Sequence, residues 1–368
     1  MNIRIQRTVQ AAGIWLAAID PGAERRFKGL RLVAAYALAV AIGSLWDLAS
    51  GTSGGTHVAN LAGGFALWGS VSEARTERIA ASRDLFLLCA AATAGAILYS
   101  LLAPLVGQHT WAGSESILIT GAFLAAYLKS FGTLGAGMGS QVYIGELLAF
   151  GVGPQLADVG SVCAAGIIAM LSAILARWLL SRGQPANSTE PSMSASLPPP
   201  PAQRVALLNG IQTSGAALVV VVLNDLFVLP ESAWAITACV YIMTATRVET
   251  IRRARHRIIG TLVGVPVGLA CMPIAVHAPL LTWILAALAM VVYTVSLPRR
   301  YDVACGAFAF TLMVTLEMSG QHSADVLLAR VWETVLGATL GVAMALLIER
   351  ASAALFPGFA AARKETRT

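Results

Sequence analysis

Charge is what this chain of 368 residues has least of. Asp, Glu, Lys and Arg make up 12% of it, whereas hydrophobic residues make up 57% and mean hydropathy is +0.72. A water-soluble domain carries roughly a quarter of its residues charged, so that class is excluded and a lipid-embedded one is indicated. Cysteine is scarce too: Cys89, Cys163, Cys239, Cys271 and Cys305 each stand alone in an apolar run. Without a CxxC or a close pair, neither a disulfide framework nor a zinc site is supported. No HExxH, GxSxG, Walker lysine or Rossmann glycine pattern falls in a fitting context, so no enzyme and no cofactor are expected. A cleavable signal peptide is not visible. The first apolar stretch, Val9–Ile19, is short, follows Arg4 and Arg7, and reads as an amphipathic helix on the membrane surface.

What is present is hydrophobic length. Long runs recur at Leu30–Ala49, Leu85–Ala103, Trp111–Leu128, Val162–Leu180, Val205–Leu223, Ile258–Val276, Leu280–Leu297 and Leu327–Ile348. Each approaches or exceeds the roughly 17–25 residues that cross a hydrocarbon core. Shorter or glycine-broken runs lie at Val58–Val71, Gly132–Phe150, Ala233–Ala245 and Val303–Met318. Together they predict an all-α polytopic membrane protein with about twelve transmembrane helices.

The basic residues orient these spans. With twelve crossings and a cytoplasmic N-terminus, every lysine and arginine of the 25 except Arg330 falls on one face. That is the positive-inside pattern, and it places both termini in the cytoplasm. The densest cluster, Arg247, Arg252, Arg253, Arg255 and Arg257, becomes a cytoplasmic basic loop that also meets anionic headgroups. No folded module or interleaved aromatics accompany it, so nucleic acid is not an expected partner.

A constant shift that lays Arg83 on Arg257 also lays Leu30–Ala49 on Arg204–Leu223 and "SEARTERIAASR" on "TRVETIRRARHR". Six spans per copy is an even number, so the copies enter the membrane alike and form two parallel six-helix repeats. The domain plan is then 1–28 as a cytoplasmic amphipathic segment, 29–180 as the first repeat, 181–204 as a Pro/Ser-rich cytoplasmic linker, 205–350 as the second repeat and 351–368 as a cytoplasmic tail. Duplication with a purely structural outcome is the alternative.

Polar groups inside apolar spans are costly and therefore informative. Glu146 stands in the glycine-dense "GTLGAGMGSQVYIGELLAFG", near Gln141 and Tyr143. Tight helix packing and a proton or substrate path both explain that span; on the second reading Glu146 is the proton carrier. Trp234, Thr237 and Tyr241 share a helical face, as do Phe308, Thr311 and Thr315 at spacings of three and four. They are candidates to line a path, with Trp234 alternatively an interfacial belt residue. Arg330 and Glu333 are three apart, which suits an ion pair within the last helix or a charge-handling site at its mouth.

Three stretches carry a resemblance: "WAITACVYIM" at 234–243, "RRARHRIIGTLVGVPVG" at 252–268 and "RVWETVLGATLGV" at 330–342. They resemble the fusaric acid resistance family of bacterial inner-membrane proteins, which includes aromatic carboxylic acid efflux pumps. Arg257, Gly260, Thr261 and Gly264 match its "R..GT..G" core; Arg330, Glu333, Thr334 and Gly337 match its last-helix motif, with Glu where Asp is common. The first half carries no clear copy after Arg83, and only Ser181–Arg204 occupies the place of the large soluble region found in the best-known pumps. The resemblance implies a secondary efflux transporter of small amphipathic organic anions in the bacterial inner membrane, in contact with lipid. An anion channel or a non-transporting envelope protein is the alternative, and homo-oligomerisation and an adaptor partner stay open.

Overall fold

The computed structural model describes residues 20, 23–50, 58–109, 113–180, 203–227, 229, 232–244, 246–297, 299–318 and 324–355. The surface helix expected at 9–19, nearly all of the 181–204 linker and the end of the 351–368 tail lie outside the described residues. Among those described, all regular structure is helical. The helices are α1 Glu24–Ala49, α2 Val58–Ser72, α3 Arg78–His109, α4 Leu118–Leu128, α5 Gly132–Val152, α6 Val159–Leu180, α7 Gln203–Phe227, α8 Ser232–Ile242, α9 Arg247–Ala270, α10 Met272–His277, α11 Pro279–Ser296, α12 Tyr301–Met318 and α13 Ala324–Leu355.

Eight stretches are long and apolar enough to cross a membrane, so the protein is a multi-spanning membrane protein. Twelve full crossings are not reached. Helix α2 has 15 residues and α8 has 11. At about 1.5 Å per residue neither covers a core of about 30 Å. One apolar stretch, Ser114–Val152, counts once by length but folds back on itself. Gly132 has φ 85°, and beyond it α5 returns along α4. Gly121 then faces Tyr143, and Gly139 faces Ala125. Hydropathy alone does not register that reversal, because both arms are apolar.

Lipid contact is legible on α11, where Leu280, Ile284, Leu288 and Val292 recur every fourth residue and are exposed. An unpaired apolar stripe of that kind suits hydrocarbon rather than water.

Packing runs in a regular scheme. Helix α2 sits between α1 and α6, α3 lies on α5 and α6, and α4 lies on α5. Further along, α8 sits between α7 and α13, α9 lies on α12 and α13, and α11 lies on α12. The two groups meet where α4 packs on α7 and where α11 packs on α1. Glycine permits the closest crossings. A Cβ on Gly95 of α3 would strike the carbonyl of Val142, and one on Gly145 of α5 would strike that of Ala92. Main chains there touch directly, the usual means of association where lipid removes the hydrophobic drive between helices.

The short helices end inside the bundle, so their terminal backbone groups need partners. Asp47 of α1 accepts from the N–H groups of Val58 and Ala59 at the start of α2, at 3.0 and 3.1 Å. At the other end of α2, Gln141 donates to the Trp68 carbonyl at 2.9 Å, and Lys28 donates to those of Val71 and Glu73 at 2.9 and 2.6 Å. Carboxylates thus sit at helix starts and cations at helix ends, as the helix dipole favours. Helix α8 follows suit: Lys129 donates to the carbonyl of Met243 just past its end at 3.1 Å.

Candidate anion-binding cleft

The residues that the sequence places in a cytoplasmic basic loop form the opening turns of α9. Thr246 caps this helix, its hydroxyl accepting from the Glu249 N–H. Arg247, Arg252 and Arg255 are exposed, and Arg252 pairs with Glu249 at 2.7 Å. Arg253 and Arg257, one turn apart, point elsewhere. Arg253 reaches Glu249 at 3.3 Å and lies over the Tyr301 ring at 5.8 Å; Arg257 lies over the Tyr241 ring at 5.7 Å.

From Arg257 the same face of α9 continues through Thr261 and Val265 into a small, partly open cleft. Helix α12 supplies Cys305, Phe308, Ala309, Leu312 and Met313 to its wall, α13 supplies Arg330 and Thr334, and α8 supplies Trp234. The Arg330 guanidinium lies 4.0 Å from the Trp234 ring centre, close enough for a cation–π contact. Among the described residues, two cations and two aromatic rings line this space.

Glycine spacing explains why these residues come together. A Cβ at Gly260 would meet the Asp302 carbonyl, and one at Gly264 that of Gly306, so α9 presses its backbone on α12. Gly337 does the same on α8, against the carbonyl of Ala235. In each sequence motif the glycines set the crossing, while Arg257 and Thr261 in one and Arg330 and Thr334 in the other face the cleft.

Behind Phe308 lies an aromatic cluster shared by the two groups of helices. Trp68 of α2 meets Phe308 at 5.3 Å and Tyr293 of α11 at 6.5 Å between ring centres. Beside it, the Tyr143 hydroxyl is 2.7 Å from that of Thr237, and the Ser140 hydroxyl is 3.0 Å from that of Tyr241. Thr237 and Tyr241 therefore join α8 to α5 next to the cleft, and do not appear on its wall.

Other expected residues lie away from it. Glu146 is fully buried between α4 and α5, where it accepts from Thr120 Oγ1 at 2.7 Å and from the Gly121 N–H at 3.0 Å. It serves as a cap on the first turn of α4. Gln141 is spent on the end of α2. Thr311 donates to the Ala307 carbonyl and turns toward α11, and Thr315 donates to the carbonyl of Thr311. Glu333 is fully buried on α13 one turn beyond Arg330. Trp68, Tyr293, Cys305 and Thr334 are not among the path residues expected from the sequence, and Arg257 is expected there only as an orienting, headgroup-facing residue of the "R..GT..G" motif. The motif around Arg257 held the available signal. Trp68 and Tyr293 carried none, because their placement depends on helices far apart in sequence.

Residues 215–344 match the model of the fusaric acid resistance protein-like family. The matched stretch contains the whole cleft wall. No curated protein and no solved structure matches the chain.

Proposed function

We propose that this protein is a secondary exporter of small amphipathic organic anions, aromatic carboxylates foremost, and that the cleft between α8, α9, α12 and α13 is its binding site. The observation that carries this reading is the lining, which brings Arg257 and Arg330 together with Trp234 and Phe308. An arginine fork matches a carboxylate in two parallel hydrogen bonds. The rings offer the apolar body of such a ligand a surface to stack on. Arg257 and Arg330 carry the charge handling in this account, and Glu146 has a structural post.

The helix pairings support a two-fold plan. Each contact within α1–α6 noted above has a counterpart within α7–α9 and α11–α13, and α4 on α7 is mirrored by α11 on α1. Two parallel six-helix repeats with short second helices fit that pattern, in a bacterial inner membrane with the basic residues and both termini on the cytoplasmic side. Alternating exposure of the seam between repeats is the movement such a plan allows.

The test is uptake of labelled benzoate and related acids into inverted vesicles, with and without an imposed pH gradient. We expect gradient-driven accumulation that Arg257→Gln and Arg330→Gln each reduce at least about tenfold, the loss expected for one charged hydrogen bond. Gradient-independent current would favour the channel alternative. No movement of any acid by folded protein would overturn the export reading.

A further inference from the structure

Two cations near the cleft stand out by their lack of acidic partners among the described residues. Lys129 sits at the α4–α5 turn, and its ammonium donates to the Met243 carbonyl at 3.1 Å; it makes no ion pair there. Arg257 makes none either, and its Nε is buried without a hydrogen-bond partner. Arg253 lies near enough to Lys129 to act on its charge, and its own carboxylate, Glu249, is shared with Arg252. The same carboxylate therefore serves two arginines, and Lys129 adds a third positive charge with nothing opposite it.

These groups are not simply splayed on the surface. Lys129 is exposed, and Arg253, Tyr301, Arg257 and Tyr241 are each half-buried, although they lie among packed helices from both groups. They lie at the end of the bundle where α9 begins, and along α9 the residues Arg253, Arg257 and Thr261 lead in four-residue steps into the cleft. Bringing like charges together in such a space is unfavourable unless a counter-charge enters.

We infer that Lys129, Arg253 and Tyr301 form a second anion site at the basic mouth of the cleft, which takes the carboxylate of an organic anion before it reaches Arg257. This rests on the export reading for its ligand, though not for its charge. Lys129 belongs to the first group of helices and Arg253 to the second, so an anion held by both bridges the seam between them. A lipid phosphate offers similar chemistry, and the test separates the two sources.

The experiment is equilibrium binding of labelled benzoate to the purified full chain in phosphatidylcholine nanodiscs, together with chloride-35 NMR line broadening. Lys129→Gln should weaken benzoate binding about tenfold, and Lys129→Arg should restore it, which separates charge from fold. Unchanged binding in Lys129→Gln, with loss in Arg330→Gln, would overturn the second site and leave the export reading intact. Absence of benzoate binding with chloride broadening that depends on Lys129 would keep the site and remove the aromatic ligand. An effect of Lys129 that appears only in phosphatidylglycerol nanodiscs would assign the site to a headgroup and overturn the inference. If neither probe binds, both readings fall.

Discussion

At the scale of single residues, two acids in this protein work as helix caps supplied from another element. Asp47 holds the start of α2 and Glu146 holds the start of α4. Each sits where the partial positive charge of a helix start offsets the cost of burying a carboxylate. From the sequence Glu146 is recognisable as an acid in an apolar span, and a proton carrier is a reasonable expectation for such a residue. Its partner, the backbone of Gly121, has no side chain to announce it. We therefore expect Glu146→Gln to lower thermal stability by about 1–2 kcal/mol, the range for loss of a good cap, while gradient-driven uptake persists. Thermal unfolding and vesicle uptake on the same preparation check this; uptake that loses its dependence on the gradient would return Glu146 to the path.

At the scale of elements, the family motifs have a direct physical content. In "R..GT..G" the glycines bring α9 against α12, and that approach places Arg257 and Thr261 in the cleft. Gly264→Val would drive a branched side chain into the Gly306 carbonyl and part the helices. We expect it to cost several kcal/mol, as overpacking of a tight contact does, and to abolish ligand binding; Gly151→Ala, where a Cβ meets nothing within 4 Å, should leave both intact. Binding and melting of the two variants make the comparison. Helix existence was readable here because hydrophobic runs are long. Helix length was less so: the polar groups that end α2 and α8 gain their partners from Lys28, Gln141 and Lys129, which lie far off in sequence. The basic cluster was similarly half legible. Its charge was plain, but the same run holds exposed residues and inward-facing ones, and only the helical phase of α9 separates Arg255 from Arg257.

At the scale of the whole molecule, the sequence points to a membrane protein with one strongly basic face, and the helix count is where it overreaches. Aromatic residues from distant helices, Trp68, Tyr293 and Phe308, meet at the seam beside the cleft, an arrangement no single motif encodes. The account turns on one claim, that an aromatic carboxylate lies in the cleft with its charge toward arginine. The most direct measurement is a cryo-EM map of the protein in nanodiscs with 4-iodobenzoate, whose iodine marks its position and direction. The account predicts density between Arg257 and Arg330, carboxylate toward a guanidinium and ring against Trp234 or Phe308. Density in the lipid-facing grooves alone, with the cleft empty at saturating ligand, would contradict it.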